Sequence, residues 1–287
     1  MIVAGVQFDI AWEDPDENFS RVAPLAQRAA AKGAEIIALP EMFATGFSMR
    51  AEEMAAHANT IHEFVADLAR RHGVWVIAGY AEPGDRRPAN SCSVIAPDGH
   101  EVLHYRKIHP FSLAGEPDHF EAGEGLHTVE ISGVRVTPLI CYDLRFPELF
   151  RASAMTTDLF VIIANWPAHR SHAWRTLLAA RAIDDQAWVL GVNRVGEVNG
   201  YPHCGDTSIL DPPTHPVLPA EDADNADSHK RKNICVNQRD LRERELNAPK
   251  SRAIMSGSAH QLAASSIEHR ASSFEYRVGF NPRPRAA

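Results

Sequence analysis

Short apolar runs rich in β-branched residues alternate along this chain with longer stretches of helical periodicity. "IVAGVQF" over 2–8 alternates with period two and predicts a strand. "PDENFSRVAPLAQRAAAKG" then predicts a helix, with Pro15 at its first position and Gly33 as its stop. "EIIALP" over 35–40 is apolar throughout, as in a strand buried on both faces. A helical stretch near 58–72 closes at Gly73, and "VWVIAGY" over 74–80 is a third strand. The βαβαβ order implies a sheet with helices on at least one face.

After Tyr80 the pattern changes. "NSCSVIAPDGHEVLHYRK" reads as two strands around Asp98-Gly99, a strong hairpin signal, so an antiparallel section joins the sheet. The runs over 134–142 and 158–166 are buried strands separated by "PELFRASAMTT", a helix opened by Pro147. An amphipathic helix over 171–185 and a strand over 187–196 follow. The sum is one large α/β domain of two sheets packed together inside helix layers. Beyond "GDTSILDP" (205–212) come a charged loop over 220–232, a last strand at "NICV" and a short helix over 239–247. The domain is therefore set at 1–249. Residues 250–287 mix Ser, Ala, Arg and Pro with little periodicity and predict an extended or poorly ordered tail.

Composition narrows the function. With 287 residues, 45% of them hydrophobic and 23% charged, the chain has the make-up of a soluble globular protein. Its 29 basic and 37 acidic residues give a net charge of -8, which leaves no basic footprint for nucleic acid. The longest apolar run, Leu159 to Ala164, is far short of the roughly 20 residues of a membrane-spanning helix. "MIVAGVQFDI" has neither a basic start nor a small-residue cleavage site, so a cytoplasmic protein is expected. Cys92, Cys141, Cys204 and Cys235 are widely spaced and form no CxxC pair, as reduced thiols would. Among fifteen histidines there is no HExxH, and His100 and His104 fall on a predicted strand, where four residues span about 13 Å. Neither a metal nor a cofactor is expected.

Three residues stand where chemistry can happen. Cys141 follows the apolar strand "VTPLI" at its C-terminal end, the place where open α/β sheets bind ligands. Glu41 ends "EIIALP" in the same way, and a carboxylate there needs a partner or a raised pKa. In "VLHYRKIHPF" strand alternation puts Arg106 and Lys107 on opposite faces, so one of them points inward. Each position alone also suits a packed thiol or a salt-bridged charge. Together a thiol, a carboxylate and an ammonium form a machine for acyl transfer. The lysine favours the thiolate and holds an oxyanion, and the glutamate carries the proton to a leaving amine.

The motifs "LPEMFATGF", "YRKIHPF" and "LICYDLRFPE", in that order, resemble those of the nitrilase superfamily of carbon-nitrogen hydrolases. The resemblance extends through "IIANWPAHRSHAWRTLLAARAIDDQAWVLGVNRVG" and "GDTSILDP", covering about residues 1–212. It implies an α-β-β-α sandwich, with Glu41 as general base, Lys107 as oxyanion stabiliser and Cys141 as nucleophile. A second glutamate is implied between the lysine and cysteine motifs, where Glu116, Glu121 and Glu124 are available. Glu116, nine residues after Lys107 in an "AGE" setting, resembles the omega-amidase-like form. "YDLRFPEL" resembles the amidase branches and implies an amide rather than a nitrile, with the Tyr142 N–H in the oxyanion hole. Asn165 and Trp166 are expected to line the pocket, and Arg145 and Arg170 to pair with a substrate carboxylate or with structural acids.

The resemblance is nearest to omega-amidases, which release ammonia from dicarboxylic acid monoamides through a cysteinyl thioester, and it implies a homodimer. An N-carbamoyl hydrolase, a nitrilase and a non-catalytic metabolite-binding member are the alternatives within the superfamily. A Cys-His thiol hydrolase is the alternative outside it. The segment "RDLRERELNAPKSRAIMSGSAH" departs from the family pattern, which puts the tail's part in dimerisation in doubt.

Overall fold

The first three strands run parallel, joined by helices that return the chain to the same edge. In the computed structural model, which describes residues 1–212, 234–237 and 272–277, the chain opens with β1 (Ile2–Gln7), α1 (Pro15–Ala31) and β2 (Ile36–Ala38). It continues through α2 (Ala51–Ala55) and α3 (Ala58–His72) to β3 (Trp75–Glu82). The expected signals set these boundaries. The Asp14 carboxylate accepts the Glu17 N–H at 3.1 Å as an N-cap, and Pro15 opens α1. Gly73, at φ +64°, closes α3 in the left-handed conformation that glycine adopts without a Cβ clash.

The antiparallel section is the hairpin of β4 (Ala89–Ile95) and β5 (Glu101–Arg106), turning at Asp98-Gly99. The second half comprises α4 (Glu116–His119), β6 (Val129–Ile131), β7 (Val134–Ile140), α5 (Pro147–Ser153), β8 (Leu159–Ala164), α6 (Ser171–Asp185) and β9 (Trp188–Asn193). A small hairpin, β10 (Val195–Val198) with β11 (Tyr201–Cys204), precedes β12 (Ser208–Leu210). β13 (Ile234–Asn237) and β14 (Ser272–Arg277) complete the described elements.

Two large sheets result, ordered β13-β14-β1-β2-β3-β4-β5 and β12-β9-β8-β7-β6. Period-two alternation decides what each face buries. Val3, Ile36, Ile77 and Val94 point between the sheets and join Val136, Val161 and Leu190 in one core. Ala4, Ile37, Val76 and Tyr80 point outward under α1 and α3, against Val22, Leu25, Ile61 and Val65. On the far side α6 lays Trp174 and Leu178 over Gly191, where an added Cβ would come within 2.5 Å of Leu178 Cδ1. The layers are thus helix, sheet, sheet and helix, as expected.

"NICV" is a strand as anticipated, shifted by one residue. The stretch 250–287, read as extended or poorly ordered, contains β14, which pairs antiparallel with β1 from Ile2↔Arg277 to Gln7↔Ser272. The loop expected over 220–232 and the helix expected over 239–247 lie outside the described residues.

Candidate active site

Three chemically active side chains converge from the C-terminal ends of strands in the two sheets, and a fourth joins them from α4. Glu41 follows β2 and is fully buried. Its place depends on Gly79 in β3, where a Cβ would lie 3.0 Å from Glu41 Cα and 2.6 Å from Ile163 Cδ1. Glu41 Oε1 accepts from Lys107 Nζ at 2.9 Å and from Asn90 Nδ2 at 2.8 Å, and Oε2 accepts the Asn165 N–H at 2.8 Å. The Asn165 side-chain amide donates to the Glu41 carbonyl.

Lys107 leaves β5 pointing inward and is 1% exposed. Arg106 takes the outward face and pairs with Glu82 at 2.6 Å and Glu121 at 3.3 Å. Glu116 opens α4, and its two oxygens accept from Lys107 Nζ at 3.1 and 2.9 Å. It also accepts the Phe111 N–H, and Asn90 Nδ2 at 2.9 Å. The other two acids of that segment stand elsewhere. Glu121 accepts the backbone N–H groups of Asp85 and Arg86, and Glu124 is exposed.

Cys141 follows β7 and begins a 3₁₀ turn, Cys141–Arg145, with φ +47°. For a residue with a Cβ this left-handed conformation costs energy and persists only where the surroundings hold it. Asp143 does so. Fully buried, it accepts the Ile140 N–H at 3.1 Å, the Tyr105 O–H at 2.7 Å and the His109 N–H at 2.9 Å, with His109 Nδ1 at 3.2 Å. One carboxylate thereby ties the nucleophile turn to the segment that follows Lys107. Sequence reasoning did not single out Asp143, although it lies within the cysteine motif.

The electrostatics follow from burial around unequal charges. Burial works against the Lys107 ammonium, but the carboxylates of Glu116 and Glu41 outweigh it and hold its pKa above the ordinary lysine value. Glu116 is pushed up by burial and by Glu41, with Lys107 opposing. Burial and the Glu41 carboxylate raise the Cys141 thiol well above the ordinary cysteine range, although Lys107 pulls the other way. The expected pull of Lys107 toward the thiolate is present, and burial with the Glu41 carboxylate outweighs it. A thiol held up in this way must give its proton to a base as it reacts, and Glu41 borders the same cavity.

Above these groups lies a cavity of about 320 Å³ whose wall includes Glu41, Cys141, Tyr142, Arg145, Asn165, Trp166 and Arg170. All five residues expected to touch substrate are therefore on one wall. The Arg145 guanidinium lies 6.0 Å from the Tyr142 ring and 5.1 Å from that of Trp166, and Arg170 lies 5.0 Å from Phe111. Neither arginine forms a salt bridge with an acid among the described residues. The rim residues Asn199, Tyr201 and His203, on the β10–β11 hairpin, were not anticipated. The signal was present, because Asn199-Gly200 is the other strong hairpin dipeptide of the chain. Burial and the nearby Arg194 push His203 down to about 4, so it faces the cavity as a neutral ring. No cluster of three His, Cys, Asp or Glu side chains among the described residues is arranged to hold a metal ion.

Residues 2–225 match the model of the family described as carbon-nitrogen hydrolase. The chain belongs to the carbon-nitrogen hydrolase family. Among curated relatives, this carbon-nitrogen hydrolase is 38% identical to the omega-amidase YafV of Yersinia enterocolitica, over 72% of its own length and 79% of the relative's. It is 31% identical to the 2-oxoglutaramate amidase of Bacillus subtilis, over 73% and 82% of the two chains. Among solved structures it resembles a CN-hydrolase superfamily protein of Xanthomonas campestris with an arsenic adduct in the active site. That match has a TM-score of 0.72 and 30% identity, covering 76% of this chain and 85% of that one.

Proposed function

We propose that this carbon-nitrogen hydrolase is an omega-amidase-like enzyme that hydrolyses the distal amide of a small dicarboxylic acid monoamide and releases ammonia. One observation carries the reading: Glu41, Lys107 and Glu116 form a single buried hydrogen-bonded cluster beside Cys141 at a cavity wall. In acylation Glu41 takes the thiol proton as Cys141 Sγ attacks the amide carbon. Lys107 and the Tyr142 N–H hold the oxyanion. Glu41 then returns the proton to the nitrogen, the C–N bond breaks, and ammonia leaves a cysteinyl thioester. Water adds to the thioester with Glu41 again as base, and the thiolate leaves and recovers its proton. Glu116 keeps Lys107 in place through both halves.

Arg145 and Arg170, on the cavity wall without acidic partners among the described residues, support a carboxylate at the far end of the substrate. On this reading the enzyme works in the cytoplasm with reduced thiols, and as a homodimer, which sedimentation equilibrium tests. The names of the omega-amidase and 2-oxoglutaramate amidase relatives support the substrate class. The decisive assay is ammonia release from 2-oxoglutaramate, succinamate, glutamine, an N-carbamoyl amino acid and a simple nitrile. Preference for the monoamides is expected, and preference for the nitrile overturns the reading. Intact mass after quenching separates the two glutamates: Glu41→Gln should form no acyl adduct, and Glu116→Gln should still form one slowly. Rapid acylation of Glu41→Gln would remove it as the base.

A further inference from the structure

Asn90 lies on β4 next to the catalytic lysine, and its carbonyl accepts the Lys107 N–H at 2.8 Å. Its side chain is 1% exposed and sits behind the cavity wall, out of reach of substrate. Both neighbours of its amide nitrogen are carboxylates: Nδ2 donates to Glu41 Oε1 at 2.8 Å and to Glu116 Oε1 at 2.9 Å. Those two acceptors fix the orientation of the amide, since the reversed form would press Oδ1 against both acids. Oδ1, buried on the other side, has no hydrogen-bond partner among the described residues, so the orientation is held at the expense of that group.

The charges here do not balance. Two carboxylates surround one ammonium, and closely spaced acids of that kind lower their repulsion by retaining a proton. A proton held on Glu41 or between the two acids would leave Cys141 without a base. Resting on the amidase reading above, we propose that Asn90 is a positioning residue that keeps Glu41 and Glu116 apart as two deprotonated acceptors, one on each amide hydrogen. Glu41 is also faced by Lys107, Cys141 and the Asn165 N–H, and Glu116 by Lys107 and the Phe111 N–H. Among the groups that contact both acids, Lys107 brings a full charge and is itself needed for the oxyanion. Asn90 contributes donors alone.

The test is the pH profile. Hydrogen bonds to a carboxylate favour its charged form, so their loss in Asn90→Ala should move the acidic limb of kcat/KM upward by about one pH unit. Well below the limb the variant should be about tenfold slower than wild type, and well above it within about threefold. The isosteric Asn90→Asp, which puts a third acid in the cluster, should move the limb further in the same direction and serves if the alanine variant does not fold. The same profiles are measured for alkylation of Cys141 by iodoacetate, which needs the base and carries no amide. A shifted alkylation limb with no ammonia from any amide would sink the amidase reading and leave the role of Asn90 standing. An equal loss at every pH, with both limbs where wild type has them, would reduce Asn90 to a packing residue.

Discussion

Removing one oxygen atom from Tyr105 should weaken the nucleophile turn without altering anything that touches substrate. The ring is fully buried between the sheets and its hydroxyl donates to Asp143 Oδ2 at 2.7 Å, so Tyr105→Phe keeps the packing and deletes a single donor. A hydrogen bond to a charged group contributes about 1.5–3 kcal/mol. For a chain of this length each kcal/mol is worth roughly 2 °C, so the melting temperature should fall by about 3–6 °C. The rate should fall as well. Asp143 also holds the Ile140 N–H, immediately before the left-handed Cys141, and loosening that grip should cost about tenfold in kcat with KM within about twofold. Scanning calorimetry and ammonia release measure both effects. Tyr80→Phe is the control, since its hydroxyl bonds the neutral Ser93 at 2.6 Å away from the catalytic cluster, and it should cost about 1 kcal/mol with kcat unchanged. If Tyr105→Phe melts and turns over like wild type, the turn is not held through Asp143.

Cys141 should be alkylated by iodoacetamide before Cys92, because it borders the cavity and Cys92 is sealed between the sheets. Modification of Cys92 first, with no protection of Cys141 by substrate, would contradict this. Gly79→Ala should destabilise the protein by about 1–3 kcal/mol and impair turnover by displacing Glu41, so wild-type kcat in a folded variant would refute the contact. His104, hydrogen-bonded to Glu101 at 2.9 Å and Glu82 at 3.0 Å, is raised from its ordinary 6.5 to about 9. The stabilisation this represents is complete below pH 6.5 and is lost as pH rises through 9. The melting-temperature penalty of His104→Gln should therefore be largest near pH 6 and vanish near pH 10, and a penalty that grows with pH would reverse the assignment.

Elements with strong periodicity and clear punctuation are legible in the amino-acid sequence. α1 between Asp14 and Gly33, and the hairpin at Asp98-Gly99, are examples in which local chemistry alone sets the boundary. Glu41, Lys107 and Cys141 are legible because each ends a strand in a recognisable motif. Glu116 is not separable from Glu121 and Glu124 by spacing alone, because what distinguishes them is the three-dimensional course of the loop. Asp143 and Asn90 leave no local mark, since their roles lie in contacts with residues 38 and 49 positions away. β14 is hidden for a related reason: six residues carry little signal until β1 offers an edge.

The β10–β11 hairpin has a consequence for how this enzyme can change. A backbone bridge between Asp9 and Val195 ties it to the region after β1, and it gives the cavity a rim of exposed side chains such as Asn199 and Tyr201. The bond-breaking groups are buried on other strands. Substitution of the exposed rim residues Asn199 and Tyr201 should therefore alter which acyl chain fits with little effect on the buried cluster. Selectivity can thus drift through single exposed rim positions, at little cost to folding, around a reaction centre held by buried hydrogen bonds.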